Sequence, residues 1–254
     1  MGADDVRVLA SAPDGPVAVP AALVAIADGE SAEAVWVNQL GGVTFALPRS
    51  RRYVKWQPAG TALDLPAEAA RLAWAGRFTP VPLVLETGAD DEGEWLVTQA
   101  LTGRSAVDPV WLASPAVAVR AIGEGLRALH EALPVAGCPF DWGVGERLAH
   151  AEAVGWGASE ARAALGEPPP VDRLVVCHGD ACAPNTLLGD DGRWTGHVDL
   201  GRLGVADRWA DLAVATWSSE WNYGPGWEGA LLEAYGIEPD EERTAFYRAL
   251  WDAA

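Results

Sequence analysis

Between positions 34 and 57 the apolar side chains come in short runs, AVWVNQL, GGVTFAL and RRYVKWQ, separated by Gly41-Gly42 and by Pro48-Arg49-Ser50. Runs rich in Val, Trp, Phe and Tyr and broken by turn residues predict antiparallel strands. The period then lengthens. Asp64 offers a cap and Pro66 a first turn, and Leu65, Glu68, Ala69, Leu72 and Ala73 share one helical face that ends at Gly76. Val81 to Leu85 and Glu94 to Ala100 read as two further strands, so the first hundred residues predict a sheet with one main helix. The first twenty residues show no clear period. Past Gly103 the pattern turns helical: Ser114-Pro115 opens a segment in which Val119, Ile122, Leu126, Leu129 and Leu133 recur at helical spacing. Gly143 to Ala164 is predicted helical, with a Pro-rich turn at 166–170. Leu174 to Cys177 predicts a strand and 178–185 a polar loop. Thr186 to Leu188 and Trp194 to Val198 form a hairpin around Gly189-Asp190-Asp191-Gly192, and helices follow near Arg208–Glu220, Trp227–Tyr235 and Asp240–Asp252. The fold class is α+β, with an N-terminal β-sheet lobe at 1–101 and a larger, mainly helical lobe at 102–254.

Composition narrows the partners. The 254 residues are 50% hydrophobic and 21% charged, enough for two modest lobes with a sizeable core and unlike a disordered chain. The longest uncharged apolar stretch, Val17 to Ala27, stops well short of the ~20 residues that span a bilayer, so no membrane partner is expected and a cytoplasmic location is. The net charge of −18 would repel a phosphate backbone, which excludes a nucleic-acid partner, and would attract a cation. Cys138, Cys177 and Cys182 lack metal-ligand spacing and read as reduced thiols. A single Lys, Lys55, stands among 18 basic residues, and Lys differs most from Arg where a compact point charge is needed.

The stretch with the most chemistry is HGDACAPN at 178–185, followed by Asp199 in HVDLG. A strand opens onto Asp180, Asn185 follows five residues later, and a hairpin delivers Asp199. Phosphoryl transfer from ATP uses such a set: an Asp at the acceptor hydroxyl and hard oxygen ligands for Mg2+. Asp180 is then the base, and Asn185 and Asp199 the metal ligands. Taken singly, each is also a common turn former. A kinase of this plan also needs a cation on an early strand and a carboxylate on the next helix to orient it. Lys55 lies in an apolar strand and Glu68 on the apolar face of the helix; each explains the other as an ion pair.

VVCHGDACAPNTLL and GHVDLGRLGVADRWADLA together resemble the aminoglycoside phosphotransferases, in particular those that modify a 3′-hydroxyl, and the resemblance covers nearly the whole chain. Gly29 to Trp36 is similar to the family's nucleotide-positioning loop, with Ser31 in it; CPFD at 138–141 and Phe246-Tyr247-Arg248 are further matches. The resemblance implies a bilobal protein-kinase-like fold and ATP as donor, with adenine held by backbone groups of the inter-lobe linker around Thr98 and Ala100. It also implies a small polycationic substrate, read by carboxylates of the second lobe. Asp180, Glu220, Asp252 and the terminal carboxylate of Ala254 are the positions implied, with Arg202 ordering the acids or simply tying a loop to a helix. Trp217 and Trp221 stand where family members commonly carry an Arg and an acid, and the segment from Asp141 to Leu174 is short for the family. His178 is expected to brace the loop. His130, His150 and His197 read as ordinary helix or strand residues, and Asp207 and Asp211 as caps and anchors of the helix that follows. The expected activity is ATP- and Mg2+-dependent phosphorylation of an aminoglycoside hydroxyl by a monomer or weak dimer. The alternatives are a kinase of the same fold acting on streptomycin at 3″, on a macrolide or on an amino-sugar metabolite, and a pseudokinase that binds nucleotide without transfer.

Overall fold

In the computed structural model, which describes residues 10–13, 15–38, 40–61, 64–155 and 159–253, the early strand runs form one antiparallel sheet. Strands β1 (Ala10–Ser11), β2 (Glu33–Asn38), β3 (Val43–Leu47) and β4 (Arg52–Pro58) lie side by side; β6 (Gly93–Gln99) and then β5 (Val84–Ala89) complete the order β1-β2-β3-β4-β6-β5. β3 alternates between buried Val43, Phe45 and Leu47 and half-buried Thr44 and Ala46, the period of two expected of a strand with one face in a core. Those three pack with Val54, Val97 and, from helix α1 (Ala21–Ala27), Leu23 and Ala27. Sequence reading missed α1. Its seven residues, AALVAIA, are apolar on every side and carry no amphipathic contrast.

Helix α2 (Leu65–Ala75) starts and stops as expected: Ala67 N–H donates to the Asp64 carboxylate at 2.8 Å, Pro66 is in the first turn and Gly76 follows the last residue. The strand expected at Val81–Leu85 is corrected to Val84–Ala89. Pro80 and Pro82 have no amide to give a ladder, and 77–81 pack elsewhere, with the Pro80 carbonyl accepting His197 N–H at 3.2 Å. The chain accordingly divides into two compact units, Met1–Gly76 with Pro82–Ala100, and Arg77–Val81 with Leu101–Ala254.

The second unit is built on helix α4 (Pro115–Ala132), which buries Val119, Ile122, Leu126 and Leu129. Helix α8 (Glu228–Tyr235) crosses it at Gly123, where a Cβ would come within 2.5 Å of the Leu231 carbonyl. The helix expected over 143–164 is two, α5 (Val144–Val154) and α6 (Ser159–Ala164), because Gly155 takes a left-handed φ of 70° and closes α5. Short β7 (Arg104–Ser105) and α3 (Pro109–Leu112) precede α4. Strand β8 (Leu174–Cys177) pairs antiparallel with β11 (Gly204–Asp207), a strand not expected from the sequence. The predicted hairpin is β9 (Thr186–Leu188) with β10 (Trp194–His197), and β7 adds to its edge. Helices α7 (Trp209–Tyr223) and α9 (Glu241–Ala253) complete the unit. Among the described residues no helix is long and apolar enough to cross a membrane.

Candidate active site

The loop after β8 is held in place before any ligand arrives. β8 buries Val175, Val176 and Cys177 and delivers His178, which is itself fully buried. At Gly179 φ is 85° and a Cβ would lie 2.0 Å from the Arg202 carbonyl oxygen, so only glycine passes. The Asp211 carboxylate, in the first turn of α7, accepts His178 N–H at 2.6 Å and Gly179 N–H at 2.9 Å. The His178 ring donates from Nε2 to the Val198 carbonyl at 3.0 Å, and its Nδ1 accepts Asp180 N–H at 3.2 Å, which is the bracing role expected of it. Farther along, Ala183 N–H donates to Ser218 Oγ of α7 at 2.9 Å. Asp180 is therefore positioned by four backbone attachments around it. Its Oδ1 is buried and, among the described residues, has no hydrogen-bond partner. An unsatisfied buried acceptor costs roughly 1–3 kcal/mol, a penalty that a reacting hydroxyl would remove.

Asn185 and Asp199 are brought together by the backbone. Val198 N–H donates to the Asn185 carbonyl at 3.0 Å, setting residue 199 beside the 3-10 turn Ala183–Asn185. The Asn185 amide nitrogen donates to the Asp180 carbonyl at 2.9 Å, so its Oδ1 is the atom that could face a cation. Asp199 holds φ at 64°, a left-handed conformation that non-glycine residues adopt at an energetic cost and that clusters at working sites. An amide oxygen and a carboxylate are hard donors and fit magnesium better than a thiophilic metal. Cys182, next to this set, stays a thiol: desolvation and then the charge of Asp180 push its pKa well up.

Behind the loop lies a buried chain that spacing did not reveal. His130 of α4 donates from Nε2 to Asp211 at 2.9 Å, and its Nδ1 meets the Tyr235 hydroxyl at 2.9 Å. An ionised Asp211 only accepts, so the proton sits on Nε2 and the Tyr235 hydroxyl donates to Nδ1. Burial would raise the Asp211 pKa, but hydrogen bonds from His130 and the Gly179 amide outweigh it and hold the carboxyl below its usual range. Donor atoms of His130, Cys177 and Asp211 lie within 4.8 Å of one another. Both His130 nitrogens are already engaged, and the group is read as a hydrogen-bonded core. His130 and His197 are thus core residues; the latter is 2% exposed, with its pKa pushed well down by burial and then by neighbouring His178.

In the first unit Lys55 Nζ meets Glu68 Oε1 at 2.7 Å, the pair expected from the strand and helix patterns. The Glu68 side chain is 7% exposed, so the Lys55 charge has little competition from water there. Tyr53, two residues earlier and on the same face of β4, is 41% exposed, a feature not singled out from sequence. Thr98 lies opposite Tyr53 in the ladder. Ala100 N–H is already donated to the Arg51 carbonyl at 2.9 Å, so any base contact at Ala100 would come from its other atoms. Ser31 falls away from Lys55. Lys55 is opposite Thr44, next to the Asn38–Gly42 turn of the β2–β3 hairpin, whereas Glu33 pairs with Ala46 at the opposite end and exposed Ser31 lies beyond it. The glycine turn beside the lysine is therefore Gly41-Gly42, with Asn38 Oδ1 accepting Leu40 and Gly42 N–H at 2.9 Å each.

The described residues suggested for substrate lie in the second unit. Arg202 lays its guanidinium over the rings of Trp142 and Trp251, 5.8 Å from each centroid. Glu220 is half-buried on α7, between Trp217 and Trp221, whose rings lie 5.0 Å apart. Asp252 is exposed in the last turn of α9, and Ala254 lies outside the described residues.

Comparison with known proteins bears on the family and the fold. A family model described as "Phosphotransferase enzyme family" matches residues 22–247. An aminoglycoside 3′-phosphotransferase of Streptomyces fradiae is 42% identical over 76% of this chain and 81% of its own. A streptomycin 3″-kinase of Streptomyces griseus is 37% identical over 84% and 89%. The structure of aminoglycoside phosphotransferase APH(3″)-Id from Streptomyces rimosus superposes with a TM-score of 0.75 at 29% identity, covering 91% of this chain and 95% of that one. The same protein in complex with ADP and streptomycin gives 0.68 at 30% identity, over 89% and 94%.

Proposed function

Because the chain belongs to the phosphotransferase enzyme family, we propose that it transfers the γ-phosphoryl group of ATP to a hydroxyl of an aminoglycoside, the 3′-hydroxyl by preference, and so inactivates the drug. The observation that carries this reading is the buried Oδ1 of Asp180, without a hydrogen-bond partner among the described residues, on a loop fastened from behind by Asp211. That oxygen accepts the hydroxyl proton and orients the nucleophile, in a position set in advance by the fold. Asn185 and Asp199 would hold magnesium, which when bound neutralises phosphate charge. Lys55, kept in place by Glu68, supplies a compact positive charge to the phosphates, and the Gly41-Gly42 turn replaces Ser31 as the backbone lying near them. The exposed ring of Tyr53 and the end of β6 at Thr98 and Ala100 lie toward the base end of the same face. A net charge of −18 suits a polycationic acceptor.

Lys55→Arg keeps the charge but replaces a point donor with a larger planar fork. It should raise the ATP KM or lower kcat with the drug KM little altered; steady-state kinetics with each substrate varied in turn check this, and the opposite split would remove Lys55 from the phosphate site. The acceptor is tested by phosphate transfer from ATP to kanamycin, neomycin, streptomycin and tobramycin. Kanamycin and neomycin should react and tobramycin, which lacks the 3′-hydroxyl, should not. The streptomycin kinase relative and the 0.75 superposition on APH(3″)-Id favour one second reading, phosphorylation at 3″. Reaction with streptomycin alone would establish it.

A further inference from the structure

We infer that Glu30 is a positioning residue for the nucleotide base, acting as a buried latch that fixes the end of β6; this rests on the ATP reading above. Glu30 sits in the turn between α1 and β2, and its side chain is 3% exposed although it is charged and in a loop. Its carboxylate accepts Ser50 N–H at 2.9 Å and the Ser50 hydroxyl at 2.5 Å. Arg49 and Arg52 flank it at 3.5 and 4.0 Å, and Arg52 also reaches Ser50 Oγ at 2.8 Å and the Ile26 carbonyl of α1 at 3.1 Å. A buried carboxylate is tolerated only when hydrogen-bonded and paired, and here the partners Ser50, Arg49 and Arg52 all come from one turn, 49–52.

That turn needs holding. Arg51 adopts φ of 52°, which a residue with a Cβ takes up only under constraint from its surroundings. Its carbonyl is the acceptor for both Ala100 N–H and the Gln99 side-chain amide. The sequence of contacts is therefore Glu30 to Ser50, Ser50 to the constrained Arg51, and Arg51 to the end of β6 that carries Thr98 and Ala100. Lys55, paired with Leu96 three positions along the same ladder, takes part in none of the contacts just named. Loss of the latch should loosen the base end and leave the phosphate end as it was.

The test uses the full chain with two partial probes, adenosine and inorganic tripolyphosphate, each as an inhibitor of drug phosphorylation. Glu30→Ala should raise the ATP KM and weaken adenosine inhibition by roughly fivefold to tenfold, about 1 to 1.4 kcal/mol. Tripolyphosphate inhibition, drug KM and kcat at saturating ATP should stay as in the wild type. Glu30→Gln, which keeps an oxygen for Ser50 N–H, should recover most of the loss. Ser50→Ala, which removes only the bridging hydroxyl, should show a smaller loss of the same kind should Glu30→Ala fold poorly. Lys55→Met should give the reverse pattern, with tripolyphosphate weakened and adenosine kept. Equal weakening of both probes in the Glu30 variants, no change in either, or tighter adenosine binding would overturn the latch while a normal Lys55→Met result leaves the ATP reading standing. Tripolyphosphate inhibition unmoved by Lys55→Met would instead overturn the parent reading.

Discussion

Asp180→Asn should lower kcat by roughly 10² to 10⁴ while the KM values for ATP and drug change little, because the amide cannot take the hydroxyl proton yet preserves the shape of the site. The loop itself should be undisturbed. Its fastenings run through the amides of His178, Gly179, Asp180 and Ala183, and the Asp180 carbonyl keeps its bond from Asn185. The buried Oδ1 of Asp180 has no hydrogen-bond partner among the described residues, and the Cys182 thiol beside the side chain can donate to an amide oxygen as it does to a carboxylate, so the melting temperature should hold or rise. Steady-state kinetics and calorimetry on the same preparation separate the two effects. Retention of half the wild-type kcat would remove Asp180 from the role of base, and a large fall in melting temperature would make it a structural residue.

Asp211→Asn should show the complementary behaviour, a large loss of stability together with a fall in activity. The Asp211 carboxylate receives three donors, His178 N–H, Gly179 N–H and His130 Nε2. An amide has one oxygen, so a donor must face its NH2. Turning His130 to its other tautomer relieves only that contact, since the Tyr235 hydroxyl can accept as well as donate. One loop amide remains opposed. Hydrogen bonds to a buried charge contribute roughly 1.5–3 kcal/mol each, so a loss of about 2–4 kcal/mol is expected, a fall of roughly 6–12 °C for a chain of this size. The pH dependence carries the same signature. The native carboxyl pKa lies below its unfolded value, so the unfolded state binds the extra proton first; the stability from Asp211 is complete above the unfolded value near ~3.9 and is lost as pH falls through the native one. Urea unfolding as a function of pH should therefore fall less steeply on the acid side in the variant. Parallel acid limbs in the two proteins would show that Asp211 does not anchor the loop through its charge.

Much of this molecule is legible one segment at a time, because caps, turns and short apolar periods act over a few residues. Asp64, Pro66 and Gly76 bound α2, the turn 189–192 makes the hairpin, and the string 178–185 marks the chemistry before any fold is known. Lys55 and Glu68 could be paired because strand and helix periods each placed them on an apolar face where a lone charge is costly. Signals of the same short range misread 81–85, where two prolines leave no ladder, and 143–164, where Gly155 closes one helix before another begins. They also placed the phosphate turn at Ser31 by likeness of a local string, while the strand register sets Gly41-Gly42 beside Lys55. Tertiary structure alone decided which polar groups meet across the chain. Asp211 reaches His178 over 33 residues and His130 over 81, and Glu30 reaches Ser50 over 20. No local periodicity encodes such pairs, since they form only when packing removes water and each buried donor or acceptor must find whichever partner the fold has brought within reach.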